Sequence, residues 1–487
     1  MSTPPTVQTT AGPIQGTTND GGIASFLGVP FGTVLARFAA PAPPDPWKET
    51  RAADRFGPAP LQAPSDYLPA ETGYAEDCLT LNIWTPQTNG SLPVLVWIYG
   101  GGFEGGATSA PWTDGTRLAA TGPMVVVSLN YRVGAFGFSY LAHHRGALAQ
   151  ATNLGLQDII AALEWIRANI ERFGGDPNQI TVAGESAGGF LAAALAAAPS
   201  ARGLFHRLGL FSGGASRIVP LGTAIEQSDA LLRTLGAQAN PEALTDADAQ
   251  RLLDAQRSVI ATDIGQRNGV SPQALGVVLD AGTPHGVLED HPLSVFASGG
   301  AKAVPLLVCS TQHEIAAFRR AASEQFDPTS RADLEAQAQR WGIPPKDIPG
   351  LMEAYSAQGS TPGEVKERLL TDWIYRLPAA RLAQAHAAAG GTAHLAVVPG
   401  ADGKSAPHAC EVAALFGNPA PDQRLAGEQR RDAAIFEAFI RFATTGEPGW
   451  QPVSPGSLEA SAFGASGIDA GADYASILKT WEGIERP

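Results

Sequence analysis

The chain has 487 residues, of which 44% are apolar and 16% are charged, and its formal net charge is −14. This length and composition predict a folded protein of one large body or of two to three domains, and they exclude a disordered chain. The negative charge argues against partners such as nucleic acid or an anionic membrane surface. No window reaches the roughly 18 apolar residues of a membrane span.

Three cysteines, Cys78, Cys309 and Cys410, lie far apart in the sequence. Their odd number and wide spacing fit neither a disulfide framework nor a zinc cluster. The N-terminal residues lack the basic and apolar regions of a signal peptide. We therefore expect free thiols in a reducing, cytoplasmic compartment, and a monomer is the favoured assembly state.

Apolar runs typical of buried strands alternate with helical patterns along the chain. This alternation predicts an α/β protein, a single domain over residues 1–487 with a large, mostly parallel central sheet and helices on both faces. Two stretches, 219–290 and 328–390, carry helical patterns, and we interpret them as inserted segments, the first of them a lid. The predicted strands cover 79–85, 92–99, 123–130, 180–183, 207–212, 304–310 and 392–398, and helices are predicted at 155–172, 190–198 and 431–443.

The strand at 180–183 ends in a G-x-S-x-G pattern, Gly184-Glu-Ser-Ala-Gly188, and a strong helix former follows. A strand, a sharp turn and a helix are the context of a nucleophile elbow, in which a strained serine points out above the sheet. The glycines let the strand and the helix pass closely. Ser186 is therefore the candidate nucleophile.

A serine nucleophile needs a base, and the base needs an orienting acid. In doubly wound hydrolases the acid and then the histidine follow the serine in the sequence. Glu314 comes four residues after the buried strand at 304–310 and is the candidate acid. Chain order leaves His386, His394 and His408 as possible bases, and His408 is favoured because it lies in a loop just after a strand.

A glycine run, Gly100-Gly-Gly102, follows the buried strand at 92–99. Glycines there allow backbone N–H groups to approach a substrate, and with the N–H of Ala187 they predict a three-donor oxyanion hole. The alternative, a phosphate-binding loop, is disfavoured because the sequence patterns that accompany such loops are missing.

Several of these stretches resemble type-B carboxylesterases, the cholinesterase-like branch of the α/β-hydrolases. The resemblance runs from about residue 6 to the end of the chain and includes the nucleophile pattern. Its other matches are Glu76-Asp-Cys-Leu-Thr-Leu-Asn-Ile-Trp-Thr-Pro86, Trp97-Ile-Tyr-Gly-Gly-Gly-Phe103, Asn130-Tyr-Arg-Val-Gly-Ala-Phe-Gly-Phe138, Phe173-Gly-Gly-Asp-Pro177, Ser212-Gly-Gly-Ala-Ser216, Thr311-Gln-His-Glu314 and Ala406-Pro-His-Ala-Cys-Glu411 with Leu415-Phe-Gly-Asn418.

The resemblance implies an α/β-hydrolase fold and a serine esterase for small to medium carboxylic esters, without metal or organic cofactor. It also implies that Cys78 is a free thiol, because its usual partner is missing. Two alternatives remain: an amidase or carbamate hydrolase with the same triad, and, more remotely, a non-catalytic binding protein. The implied triad is Ser186, Glu314 and His408, the implied oxyanion donors are Gly101, Gly102 and Ala187, and the substrate pocket is expected to include Phe103, Glu104 and Glu185.

Overall fold

An eleven-stranded sheet runs through the protein, with helices around it. We describe it from a computed structural model that covers residues 4–259, 275–321, 323–328, 330–357, 359–400, 404–421, 429–454, 457–464, 467–469 and 474–485. The strands of this sheet are β1 (Thr17–Thr18), β2 (Ala24–Pro30), β3 (Thr80–Thr85), β4 (Leu92–Ile98), β5 (Val125–Leu129), β6 (Gly175–Glu185), β7 (Arg207–Phe211), β8 (Leu306–Thr311), β9 (Ala393–Val398), β10 (Ser461–Gly464) and β11 (Gly467–Asp469).

The spatial order of the strands is β11-β10-β9-β8-β7-β6-β4-β5-β3-β2-β1. The seven strands from β10 to β5 in this order are parallel, and the strands outside them pair antiparallel. All residues of β5, β8 and β9 are buried. Burial on both faces explains their continuous apolar sequences, and the predicted parallel sheet is confirmed.

The helices pack around the sheet, and several of them lie in the inserted segments. A π-helical turn at Asp372–Arg376 joins two of them without a break. The α-helices are α1 (Thr116–Thr121), α2 (Gly134–Phe138), α3 (Leu154–Asn169), α4 (Ala187–Leu195), α5 (Leu221–Leu235), α6 (Ala249–Val259), α7 (Pro292–Ala297), α8 (Ala316–Ala321), α9 (Ser323–Phe326), α10 (Arg331–Arg340), α11 (Ile348–Tyr355), α12 (Pro362–Thr371), α13 (Leu377–Ala388), α14 (Val412–Phe416), α15 (Gln429–Thr445) and α16 (Tyr474–Thr480).

The inserted segment 219–290 is helical in α5 and α6, and it also carries a short strand, Val277–Leu279, that pairs parallel with Ile218–Pro220. Residues 260–274 of this segment lie outside the described residues. The second segment, 328–390, contains α10 to α13. The described parts of both segments contain helices, and the identity of the segments as insertions that roof a pocket stays a prediction.

The C-terminal region contains elements beyond the helix predicted at 431–443. Two short strands, β10 and β11, extend the sheet at its edge, and α16 follows them. Other short strands lie outside the large sheet, at Thr6–Gln8, Pro13–Gln15, Arg51–Ala52, Ala59–Pro60 and Tyr74–Ala75. Within the part of the chain that the structure describes, no helix combines the length and the hydropathy of a membrane-spanning segment.

Candidate active site

The sequence-predicted site residues follow the carboxyl ends of four parallel strands. The glycine run follows β4, Ser186 follows β6, Glu314 follows β8 and His408 comes after β9. Because these strands are parallel, their carboxyl ends meet at one edge of the sheet, where ligands bind in open α/β folds. The topology therefore brings together residues that are as far apart in the sequence as Gly101 and His408.

Ser186 lies between β6 and α4 with φ of 53° and ψ of −120°. Residues with a side chain rarely adopt a positive φ, so this is a strained position. The Ser186 N–H donates a 2.9 Å hydrogen bond to the carbonyl oxygen of Phe211 on β7. A Cβ atom at Gly184 would collide with the backbone of Gly188, and one at Gly188 would collide with the carbonyl of Ile98. The glycines of the pattern are thus required for the strand and the helix to approach.

The Glu314 carboxylate holds the imidazole of His408. Its Oε2 lies 2.6 Å from His408 Nδ1. The other oxygen, Oε1, accepts hydrogen bonds from the Thr311 N–H at 2.7 Å and from the Ser212 hydroxyl at 2.8 Å. Glu314 is fully buried. A buried carboxylate with its lone pairs occupied has one orientation, and it fixes the imidazole in turn.

A second carboxylate lies on the other side of the same imidazole. Glu185 Oε1 is 3.1 Å from His408 Nε2, within ion-pair distance but outside hydrogen-bond geometry. A Cβ atom at Gly100 would collide with the Glu185 carboxylate, so the glycine run also makes room for this side chain. Glu185 was expected to lie in the substrate pocket, and it does line the cavity described below.

Burial and the charged groups around His408 shift the pKa values of this histidine and of its carboxylate neighbours. Burial lowers the pKa of His408, but the carboxylates of Glu185 and Glu314 outweigh burial and raise the pKa to about 9. Burial raises the pKa of Glu185 above that of an ordinary glutamate, against the opposing effect of His408. The buried Glu411, 3.5 Å from the Ser212 hydroxyl, also has a raised pKa because of its burial and of the nearby Glu185.

Gly101 and Gly102 form a tight turn above the nucleophile elbow, with φ of 124° and 64°. The Gly101 carbonyl accepts hydrogen bonds from the N–H groups of Glu104 at 3.0 Å and Gly105 at 3.1 Å, which closes the turn. In the described residues, the N–H groups of Gly101 and Gly102 donate no hydrogen bond. With the N–H of Ala187 at the start of α4, they are available to a substrate oxygen.

A cavity of about 500 Å³ opens at this edge of the sheet. Such a volume suits a small organic ligand. Most of its walls are apolar, and Phe318 and Tyr375 place their rings 5.4 Å and 4.8 Å from the imidazole of His408. The expected site residues that line the cavity are Gly101, Gly102, Phe103, Glu185, Ser186, Ala187 and His408.

Glu104 contacts the inserted segment. It is not among the residues that line the cavity. Its Oε2 accepts a hydrogen bond from the Gln256 side chain on α6 at 3.2 Å, and Gln256 in turn accepts one from the Ala135 N–H at 2.7 Å. Glu104 thus connects the Gly101–Gly102 turn to α6 of the inserted segment, and its part in a substrate pocket stays a prediction.

The other candidate bases lie away from the site. His386 Nε2 is 3.1 Å from the Val304 carbonyl oxygen, and its ring packs against Phe296. His394 is buried within β9 and packs against Trp450. Neither histidine lines the cavity. The structure brings only His408, of the three, to both the cavity and Glu314.

Sequence reasoning gave no role to Ser212 and Glu411, which surround the acid. Both lie in stretches that resemble the family. The position of Ser212 directly after a strand was the sequence feature that could have indicated its role.

Elsewhere, His143, His144 and Asp229 place side-chain ligand atoms within 4.8 Å of one another and could hold a metal ion. They are outside the cavity lining, so this cluster has no evident part in the site.

Comparison with known proteins identifies the family. Residues 3–456 match the carboxylesterase family. The chain is 35% identical to the para-nitrobenzyl esterase of Bacillus subtilis over 472 residues, which cover 92% of this chain and 91% of that protein. It is 33% identical to the phenmedipham hydrolase of Pseudarthrobacter oxydans over 401 residues, 80% of this chain and 76% of that one.

A solved structure with the same fold is a carboxylesterase of Geobacillus stearothermophilus. It matches with a TM-score of 0.86 and 30% sequence identity, over 98% of this chain and 100% of that one. The fold is therefore the α/β-hydrolase fold that the sequence predicts. From the family match and these relatives, the chain belongs to the carboxylesterase family and is a carboxylic ester hydrolase.

Proposed function

We propose that Ser186, His408 and Glu314 are the catalytic triad, and that the backbone N–H groups of Gly101, Gly102 and Ala187 form the oxyanion hole. The observation that carries this proposal is the 2.6 Å contact of His408 with a fully buried Glu314, beside a cavity that Ser186 also lines. A strained serine, an oriented imidazole and free N–H donors at one cavity are the parts that acyl transfer requires.

In the first step, the hydroxyl of Ser186 attacks the ester carbonyl while His408 takes its proton. The oxyanion forms within reach of the three N–H donors, each of which is worth about 10² to 10³ in rate. His408 then gives its proton to the leaving alcohol. Glu314 stabilises the imidazolium, and the neighbouring Glu185 carboxylate, 3.1 Å from Nε2, acts in the same direction.

In the second step, water attacks the acyl-enzyme. His408 removes the proton from this water, and the acid product leaves as Ser186 regains its hydrogen. All proton transfers use one imidazole, so the mechanism needs neither a metal ion nor an organic cofactor. The substrate is a carboxylic ester of small to medium size, as the cavity of about 500 Å³ allows.

The proposal is tested by covalent labelling of the nucleophile. A fluorophosphonate should add to Ser186, and Ser186→Ala should lose both the adduct and about 10⁴-fold or more in kcat. Ser65→Ala is a matched control, because Ser65 also lines the cavity and should keep its labelling and activity. An adduct that persists in Ser186→Ala, or wild-type protein that forms none, would refute the assignment.

An amidase or carbamate hydrolase would use the same triad, so the linkage must be measured. A panel with one acyl group in ester, amide and carbamate linkage, and with varied acyl length, separates these activities. We expect the ester to be hydrolysed fastest. The three free and buried cysteines support a reducing, cytoplasmic location, and the monomeric state stays a prediction.

A further inference from the structure

The cavity contains one cationic side chain that the triad does not use. In the described lining the charged residue types are Glu185, His408 and Arg217. Glu185 and His408 face each other at 3.1 Å. Arg217 is the remaining charged side chain of this mostly apolar lining, and it forms no ion pair with a carboxylate of the described residues.

Arg217 follows β7 and comes just before the short strand Ile218–Pro220. Its side chain is part-buried, and burial lowers its pKa while Tyr375 acts in the opposite direction. We find no hydrogen bond or ion pair of the Arg217 guanidinium to any described residue, and no cation–π contact of it with an aromatic ring in the described ranges. Arg217 lines the cavity, and none of its nitrogens is among the buried side-chain atoms without a partner in the described residues.

Two other arginines that are largely withdrawn from water are each paired with a carboxylate. Arg132 forms a 2.6 Å ion pair with Asp158, and Arg376 forms one of 3.1 Å with Asp372. A guanidinium withdrawn from water is costly unless an anion or several acceptors compensate it. An arginine that faces a ligand cavity without such a partner is suited to receive the anion from the ligand, and its planar fork matches a carboxylate.

We propose that Arg217 binds a carboxylate of the substrate, so that the enzyme prefers esters that carry a second, ionised carboxyl group on their acyl or alcohol portion. This inference rests on the proposed function, because it places the anion in the same cavity as Ser186. The cavity of about 500 Å³ has room for an ester of two functional groups. The Glu185 carboxylate does not oppose such a substrate strongly, since His408 lies directly against it.

The test compares isosteric ester pairs near neutral pH. For the acyl portion the pair is mono-para-nitrophenyl adipate and the para-nitrophenyl ester of adipic acid monoamide, and for the alcohol portion it is para-acetoxybenzoate and para-acetoxybenzamide. The measured quantity is the ratio of kcat/KM for the charged and the neutral member. In at least one pair, Arg217→Gln should lower this ratio by about 10- to 100-fold, the value of a charge-assisted hydrogen bond. Arg217→Lys should give a ratio between those of wild type and Arg217→Gln, because lysine keeps the charge and loses the planar, two-pronged guanidinium.

Arg55→Gln is the control. Arg55 is exposed, and its substitution removes the same unit of net charge as Arg217→Gln does. It should leave both ratios unchanged. The pair that responds to Arg217→Gln tells which portion of the substrate carries the carboxylate, and no response in either pair would overturn the inference. Wild-type protein that hydrolyses neither the charged nor the neutral member of either pair would instead overturn the proposed function.

A second measurement needs no variant and stands if Arg217→Gln does not fold. Adipate should inhibit hydrolysis of para-nitrophenyl hexanoate by the wild-type enzyme competitively, at concentrations at least tenfold lower than adipamide does. Equal inhibition by the diacid and the diamide would overturn the inference, because both compounds have the same size and differ in charge.

Discussion

Replacing Glu185 with glutamine should move the acidic limb of the pH–rate profile to lower pH. His408 must be neutral to take the proton of Ser186, so kcat/KM falls as His408 becomes protonated. In the wild-type protein the carboxylates around the imidazole raise the pKa of His408 to about 9. The attraction of Glu185 is the largest single effect that raises it. Glutamine keeps the size of the side chain and removes its charge.

The size of the effect follows from the distance. Glu185 Oε1 lies 3.1 Å from His408 Nε2, and an opposite charge this close shifts a pKa by about 1 to 3 units. Burial also raises the pKa of Glu185, so the carboxylate is partly protonated near neutral pH and the lower part of that range applies. We expect the limb to move down by about one pH unit. Glu185 and His408 titrate as a coupled pair, so the apparent pKa of the acidic limb belongs to the pair and not to His408 alone.

The assay is kcat/KM for a neutral ester such as para-nitrophenyl hexanoate, measured from about pH 5 to about pH 10, a range that spans the ordinary pKa of histidine and the raised one. Glu164→Gln is the matched control, because Glu164 is exposed on α3 and should leave the limb in place. A limb that stays in place or moves to higher pH in Glu185→Gln would refute the reasoning, since it would mean that Glu185 does not stabilise the imidazolium.

Three further substitutions test the fold around the site. Gly188→Ala would place a Cβ atom against the Ile98 carbonyl, and we expect a loss of about 3 kcal/mol or more in urea unfolding, or no folded protein. Arg132→Met leaves the buried Asp158 without its 2.6 Å partner and should cost about 3 to 5 kcal/mol, whereas a near-neutral result would contradict a buried ion pair. Burial raises the pKa of Glu411 in the folded state, so the native state binds more protons than the unfolded one and its stability falls as pH rises from the ordinary range of glutamate through the raised pKa. Glu411→Gln removes this loss, and its melting temperature relative to wild type should rise with pH; a constant difference would contradict the raised pKa.

The central sheet was predictable because its strands are buried on both faces. A run such as Leu92–Ile98 is almost wholly apolar, and a short apolar run of this kind is typical of a strand that is buried on both faces. The edge strands β10 and β11 were missed for the opposite reason. Ser461–Gly464 is short and rich in small residues, with one fully buried position, Phe463, so no apolar pattern distinguishes it from a loop.

The position of the nucleophile was predictable because steric rules constrain an elbow within five residues. The choice among histidines was harder, because chain order carries no distances. His386 and His394 fit that order as His408 does, and the structure separates them by where their strands and helices place the rings. Arg217 had no signal at all, since a single arginine after a strand is uninformative until the cavity and its missing partners are known.

The charge balance of the site connects these results. Three buried glutamates, Glu185, Glu314 and Glu411, surround a single imidazole, and one imidazolium can offset one carboxylate. Burial first, and the neighbouring carboxylates second, raise the pKa values of Glu185 and Glu411, because protonation is the least costly way to remove a buried negative charge. A substrate carboxylate would add a fourth negative group to the same region. It could enter only against a further positive charge, and Arg217 is the cationic side chain that the described cavity lining provides for it.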